Sequence, residues 1–172
     1  RRLANLEAIT QICDPHLFSQ IKIRQSTPTP GEHFINLIRD VSIPREEMLL
    51  FCRFRNRIID CTDLFEEVIT DDGICYTFNM QNASEIFSDI EYRHGEMRDE
   101  SQWSLHDGYK NEEEFEAYPH RALPNADYGF NIVMSLKNSD IDHMCKGPVQ
   151  GFKVKVHSPE EFPQMSNGLI LE

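Results

Sequence analysis

Cysteine is the residue type in this sequence whose spacing has the clearest chemical meaning. Five cysteines occur among the 172 residues, at Cys13, Cys52, Cys61, Cys75 and Cys145. No two have CxxC spacing, and none belongs to a Cys/His set with the spacing of a zinc site, so no metal site is expected. Cys52 and Cys61, separated by eight residues, are natural disulfide partners if the protein is extracellular. In that setting the odd count indicates that at least one cysteine has its partner outside this chain.

Nucleophilic catalysis is the other chemistry that a lone thiol could perform. Cys75 could act as the nucleophile with His157 as its base, but nothing in the sequence brings these two residues together. The phosphate-binding P-loop and the GxGxxG, HExxH and GxSxG motifs are all missing from the sequence. We therefore predict that the chain is not an enzyme, and we expect neither catalytic residues nor a cofactor.

Two sequence features bear on the cellular compartment. The tripeptide Asn82-Ala83-Ser84 is an N-glycosylation signal, which makes Asn82 a candidate glycosylation site in a secreted context. The longest apolar run, residues 48–52, falls far short of the roughly 20 residues that a helix needs to cross a bilayer. We expect the chain to be a fragment of a longer polypeptide.

The negative charge of the chain is concentrated in its C-terminal part. Residues 1–59 contain nine Lys/Arg and six Asp/Glu, whereas residues 60–172 contain eight and twenty-three. An acidic surface of this kind repels nucleic-acid phosphates and attracts cations, so no nucleic-acid partner is expected. An apolar fraction of 40%, with 11 Phe and 5 Tyr, is sufficient for a packed core.

The hydrophobic pattern predicts helices first and strands afterwards. Short helices are predicted over residues 3–12, 15–21 and 34–41, and from Pro44 onward, within a helical region that ends at Leu50. Extended segments are then predicted over 65–70 and 74–78 around a turn, and over 128–136 and 152–156. Residues 96–121 are polar and acidic, with a surface loop at 112–116. Because no βαβ rhythm occurs, an α+β fold is expected rather than a doubly wound parallel sheet.

Residues 48–79, MLLFCRFRNRIIDCTDLFEEVITDDGICYTFN, carry a family motif. They resemble a segment of the degenerin/epithelial sodium channel (amiloride-sensitive sodium channel) family, which includes the acid-sensing channels and the insect pickpocket group. A second stretch, GFKVKVHSPEEFP at residues 151–163, resembles the family's downstream signature. Two motifs in the expected order are far more specific than either alone. The matching positions of the first motif are Leu49, Leu50, Cys52, Phe54, Cys61, Asp63, Phe65, Thr70, Gly73, Cys75, Tyr76, Thr77, Phe78 and Asn79.

The resemblance implies a particular fold. It predicts an incomplete fragment of a hand-shaped channel ectodomain, with a helical finger segment and an antiparallel or mixed sheet forming the palm and the β-ball. Residues 1–50 would be the finger-like segment, 51–80 the disulfide loop and a palm strand, and 81–172 the β-ball, an adjoining palm strand and the acidic loop. Tyr76 and Phe78 would share the core face of their strand, with Thr77 and Asn79 on the other face.

The resemblance also implies disulfide partners. Cys52 and Cys61 would close a small loop at the base of the finger. Cys75 would bond a cysteine on the first palm strand, which lies upstream in the family and is absent from this sequence. Cys13 and Cys145 could pair with each other or with cysteines outside the chain. These two cysteines, and a Cys52–Cys61 loop longer than in acid-sensing members, favour a pickpocket-like member.

The function implied by the resemblance is that of a cation channel subunit at the plasma membrane. This chain would be an extracellular part of a stimulus- or ligand-gated, sodium-selective, amiloride-sensitive channel, and would pass a stimulus to a pore outside the fragment. The expected partners are sodium ions in that pore, other subunits of a trimer, and a proton, calcium or peptide ligand. The alternative from another class is a secreted or cell-surface domain with disulfides that binds a protein or peptide ligand and has no pore.

Overall fold

The computed structural model describes residues 12–13, 31–87, 101–111, 117–121, 129–140, 145, 147 and 150–171. The predicted helix at 15–21, the predicted helix at 3–12 apart from Ile12, and the acidic loop at 112–116 lie outside these ranges. In chain order the elements are α1 (Gly31–Val41), α2 (Arg45–Met48), β1 (Leu49–Phe54), β2 (Arg57–Ile59), α3 (Cys61–Leu64), β3 (Phe65–Thr70), β4 (Gly73–Phe78), α4 (Ala83–Ile86), β5 (Trp103–Ser104), β6 (Gly108–Tyr109), β7 (Phe130–Met134), β8 (Phe152–Val154) and β9 (Leu169–Leu171), with 3₁₀ turns at Asn138–Asp140 and Met165–Asn167.

Helices α1 and α2 form where the sequence predicts them. The apolar stripe of α1 is only partly covered, because Leu37 and Ile38 are buried while Val41 is exposed. Pro44 occupies the N-cap of α2, and two glutamates lie in its first turn, where the helix dipole favours negative charge. The prediction of helix up to Leu50 is wrong, however, because strand β1 begins at Leu49.

Strand β1 lies at the centre of a three-stranded sheet in the order β2-β1-β7, with both pairings antiparallel. The β1–β2 hairpin was not predicted. Its two turn residues, Arg55 and Asn56, have φ values of 52° and 61°. Two successive left-handed residues form the type I′ turn, whose twist matches that of a two-residue hairpin. Asn56 is a typical residue for this conformation, whereas Arg55 is not.

The hairpin predicted over residues 65–78 is confirmed. Strands β3 and β4 pair antiparallel from Phe65 opposite Phe78 to Thr70 opposite Gly73. Gly73 closes the turn with a φ of +105°, a conformation that other residues rarely adopt. A Cβ on Gly73 would also lie 3.3 Å from Cδ1 of Ile12 and 3.8 Å from Cγ2 of Ile38. Glycine is therefore favoured here both by the backbone angle and by the close approach of the Ile12 and Ile38 side chains.

The downstream strands are shorter than predicted. Of the predicted strand at 128–136, residue 128 lies outside the described residues, and β7 covers Phe130–Met134. Strand β8 ends at Val154, and Val156, predicted to continue it, has 90% of its surface exposed. The reason is pairing: Val154 is opposite Leu169, the first residue of β9, so no partner strand continues alongside Val156. Strands β5 and β6 form a short antiparallel hairpin in which Trp103 is opposite Tyr109.

The fold is α+β, as predicted, and every strand pairing among the described residues is antiparallel. One core joins the three-stranded sheet, α3 and the β3–β4 hairpin. Within the ranges listed at the start of this section, no helix is both long and apolar enough to span a bilayer. The buried residues of the core are Leu49, Cys52, Phe54, Cys61, Leu64 and Phe65.

Candidate functional site

Two disulfide bonds tie the chain together. Cys52 on β1 is bonded to Cys61 at the start of α3, with Cα atoms 5.3 Å apart. Cys13 is bonded to Cys145, with Cα atoms 4.5 Å apart, which is one of the two pairings that the sequence left open. The short bridge is reinforced locally, because Asp60 caps α3 by accepting a hydrogen bond from the Thr62 N–H at 2.9 Å. This hydrogen bond lowers the pKa of the Asp60 carboxyl.

Cys75 carries a free thiol in this chain. The other four cysteines are bonded to one another, so the predicted disulfide of Cys75 requires a cysteine outside the sequence and stays a prediction. The thiol is half-buried on β4 and lies 3.2 Å from the Thr70 hydroxyl. Burial raises the pKa of the Cys75 thiol, and nearby Asp72 adds to this effect.

The structure gives Cys75 and His157 different partners. His157 Nδ1 lies 2.8 Å from the carbonyl oxygen of Ser158, and its Nε2 lies 3.3 Å from Oγ1 of Thr77. Because a carbonyl oxygen only accepts, Nδ1 carries the proton in the neutral ring, and Nε2 accepts from the Thr77 hydroxyl. A thiol with a raised pKa is a poor nucleophile at neutral pH, so this geometry does not favour catalysis. Within the described ranges, no three His, Cys, Asp or Glu residues are grouped to hold a metal ion.

The raised pKa of Cys75 predicts slow alkylation at moderately alkaline pH. At pH 8 a smaller fraction of this thiol is ionised than of an ordinary cysteine, whose pKa is about 8.5. The rate of reaction of the 172-residue chain with iodoacetamide should therefore reach half its maximum at a higher pH than that of free cysteine. Thr70→Val is the matched variant. It removes the hydrogen bond that lowers the pKa, and should move the midpoint further up. A Cys75 that reacts as fast as free cysteine at pH 8 would contradict the burial.

An aromatic cluster joins the hairpin to the three-stranded sheet. The rings of Phe78 and Phe130 stack with centroids 4.6 Å apart and planes at 7°. Phe54 meets Phe78 edge-on at 5.3 Å, and Phe65 lies 6.1 Å from it. His120 completes the cluster by stacking on Phe78 at 6.1 Å. The expected packing of Phe78 on the core is therefore present, and so is that of Tyr76.

The segment 117–121, whose role the sequence did not indicate, is held against the end of β4. Asn79 follows β4 with a φ of 66°. Its side-chain amide donates to the His120 carbonyl at 3.0 Å and accepts from the His120 N–H. The Tyr118 hydroxyl donates to the carbonyl of Met80. The Arg55 guanidinium donates twice to the carbonyl of Arg121, at 3.0 and 2.9 Å. The Asn79 side chain thus forms two hydrogen bonds with the backbone of His120, which lies 41 residues further along the chain.

Helices α1 and α2 are bound to the hairpin through polar contacts. Arg39 donates from two nitrogens to one carboxylate oxygen of Glu67, at 2.9 and 2.6 Å. The Tyr76 hydroxyl donates to the carbonyl of Ile43 at 2.8 Å, and Arg45 donates to the carbonyl of Phe65. Burial raises the pKa of the Tyr76 hydroxyl, so it stays a neutral donor at physiological pH. Strand β4 therefore contacts the segment between α1 and α2 through Tyr76. Through Phe78 it contacts the aromatic core and segment 117–121.

Asn82, the candidate glycosylation site, lies at the N-cap of α4. The Glu85 carboxylate accepts hydrogen bonds from the backbone N–H groups of Asn82 at 3.1 Å and Ser101 at 2.9 Å. The side chain of Asn82 is partly exposed. Glycosylation at this position stays a prediction.

The similarity of this chain to known proteins agrees with the motifs. The sequence model of the family described as "Amiloride-sensitive sodium channel" matches residues 5–171. Pickpocket protein 28 of Drosophila melanogaster is 36% identical over 145 residues, an alignment that covers 79% of this chain and 24% of that protein. The chain thus spans about a quarter of the length of this relative. No solved structure matches. With a family match that covers nearly the whole sequence, the chain belongs to the amiloride-sensitive sodium channel family, also known as the degenerin/epithelial sodium channel family.

Proposed function

We propose that this chain is an extracellular part of a subunit of a sodium-selective, amiloride-sensitive cation channel. The observation that carries the proposal is the family match over residues 5–171. The family is one of ion channels rather than of enzymes, which supports a role without catalysis. The chain spans only about a quarter of its relative, and we place the pore in parts of the polypeptide outside this sequence. The subunit would reside in the plasma membrane, with this part on the extracellular side.

The mechanical role of the chain would be to pass a stimulus from its helices toward that pore. The β3–β4 hairpin suits this role because its polar contacts reach α1 and α2 while its aromatic side chains pack on the core. A well-packed hairpin moves as a rigid unit, so a displacement of one end also displaces the other end. A stimulus that favours one position of the hairpin would shift the closed–open equilibrium of the channel.

The finer assignments follow from the family resemblance. Residues 1–50 would belong to the finger, 51–80 to the disulfide loop and a palm strand, and 81–172 to the β-ball with an adjoining palm strand and the acidic loop. Cys75 would bond a cysteine elsewhere in the polypeptide, and Asn82 would carry a glycan. The subunit would assemble as a trimer. A proton, calcium ion or peptide would be the ligand where the stimulus is chemical.

The test is a current recording from the polypeptide that contains this chain. Oocytes that express it, alone and with related subunits, should show an inward current that amiloride blocks. Replacement of external sodium by a large organic cation should abolish the inward component. Surface biotinylation in the same cells shows whether the subunit has reached the plasma membrane. A subunit abundant at the surface without such a current in any combination would argue against the proposal. A polypeptide secreted whole into the medium would favour a binding domain with no pore.

A further inference from the structure

We propose that Asp71, Asp72 and Lys153 form a latch that fixes the tip of the β3–β4 hairpin to the β8–β9 ribbon, and that gating depends on this latch. The first part concerns the fold alone. The second rests on the channel function proposed above. Both carboxylates belong to the two-residue turn between β3 and β4, and the lysine lies in the middle of β8.

The turn contacts the ribbon at two separate points. Lys153 Nζ donates to Oδ2 of Asp72 at 2.7 Å, and the two side chains are 34% and 20% exposed. The backbone N–H of Met165, a buried residue just before β9, donates to Oδ1 of Asp71 at 3.0 Å. An isolated ion pair at a fully exposed surface contributes little, but these contacts are partly shielded and act together on one rigid turn. Strand β8 and the 3₁₀ turn that precedes β9 are thereby bound to the hairpin tip.

Gly168 explains how Lys153 reaches the turn. A Cβ at position 168 would lie 2.8 Å from Cγ and 3.2 Å from Cε of Lys153. The φ of Gly168 is −70°, which any residue can adopt, so the need for glycine here is one of space. The stem of Lys153 lies across this glycine and directs its ammonium group toward Asp72. A side chain at 168 would have to displace the lysine, and this provides a second, uncharged way to disturb the latch.

The same hairpin tip also lies close to Ile12 and to α1. Gly73 lies against Cδ1 of Ile12 and Cγ2 of Ile38, the latter on α1. Further along, the Thr77 hydroxyl meets His157, and the backbone N–H of Gln81 donates to the carbonyl of Pro159 at 2.8 Å. The tip therefore contacts both α1 and the ribbon region. The ribbon itself exposes all three residues of β9, and its docking depends strongly on the latch.

Hydrogen exchange on the complete subunit in detergent tests the first part of the proposal. Lys153→Met, Asp72→Asn and Gly168→Ala should each raise the amide exchange rate of residues 165–171 by about fivefold or more, because the ribbon then opens locally. The charge exchange Asp72→Lys with Lys153→Glu should bring the rate back to within about twofold of the wild type. Lys155→Met removes a neighbouring lysine that has no ion pair within the described part of the chain, and should change little.

Two results would overturn the latch. One is an unchanged exchange rate in Lys153→Met and Asp72→Asn. The other is an equal rise in Lys155→Met, which would trace the effect to lost charge rather than to the contact. Failure of the exchanged pair to recover would also reject a direct interaction between the two side chains.

Amiloride-blockable current, normalised to the amount of subunit at the surface, tests the second part. Lys153→Met should change this current about threefold or more, and the exchanged pair should restore it. An unchanged current beside a raised exchange rate would remove the latch from gating. If the wild-type subunit gives no such current, the proposed channel function fails, and the exchange measurements alone still decide whether the latch exists.

Discussion

Replacement of both Cys13 and Cys145 by alanine is expected to lower the free energy of unfolding by about 5 kcal/mol, because the bond between them closes a loop with a sequence separation of 132. A cross-link over so long a loop removes much of the conformational freedom of the unfolded chain. Alanine is preferred to serine because both cysteines are buried and a hydroxyl would need a partner there. The loss is comparable to the whole stability of many domains, about 5–15 kcal/mol.

The matched control is the double variant Cys52→Ala with Cys61→Ala. This bridge has a sequence separation of only 9, and the same relation gives a loss of about 3 kcal/mol. Urea unfolding under non-reducing conditions measures both, with the wild-type chain beside them. A long-loop variant that loses no more stability than the short-loop one would contradict the expectation. The Cys13–Cys145 bond would then contribute little beyond local contacts.

The elements that follow from short-range sequence signals were predicted well. The β3–β4 hairpin follows from alternation on both sides of the Asp72-Gly73 turn. Helix α1 follows from the spacing of Phe34, Leu37, Ile38 and Val41. In each case the information lies within a dozen residues, because a turn or a helical face is built from neighbours in the chain.

The features that the sequence does not predict depend on long-range contacts, or on a local signal that a neighbouring residue makes hard to recognise. The pairing of Asn79 with His120 joins residues 41 apart, and no periodicity encodes it. The length of β8 is limited by where β9 begins, which the alternation up to Val156 cannot show. The β1–β2 turn has a local signal in Asn56, but Arg55 before it rarely adopts a positive φ and hides that signal.

The structure gives a physical reason for the density of the family motif around Cys75-Tyr76-Thr77-Phe78. Successive side chains of a strand point to opposite faces, and each of these four has a different partner. Cys75 meets Thr70, and Tyr76 meets the carbonyl of Ile43. Thr77 meets His157, and Phe78 stacks on Phe130. A short strand that contacts four other segments in this way constrains the type of side chain at each of these positions.

Phe78→Ala is expected to lower the free energy of unfolding by about 3 kcal/mol, the lower end of the usual cost of removing a large aromatic side chain from a core, because Phe78 is partly buried. The Phe78 ring is in contact with four others, those of Phe54, Phe65, His120 and Phe130. Its loss leaves a cavity where the hairpin, the three-stranded sheet and segment 117–121 meet. Phe78→Leu fills part of this space and should cost less, about 1–2 kcal/mol.

Phe87→Ala is the control that separates loss of the cluster from loss of a phenylalanine in general. The ring of Phe87 packs edge-on against Phe162 at 5.4 Å, but 36% of the residue is exposed. Its replacement should lower the free energy of unfolding by less than about 1.5 kcal/mol, because a partly exposed ring removes less apolar surface from water when the chain folds. Urea unfolding of the three variants provides the comparison. Equal losses for Phe78→Ala and Phe87→Ala would mean that the cluster contributes no more to stability than an isolated, partly exposed aromatic pair.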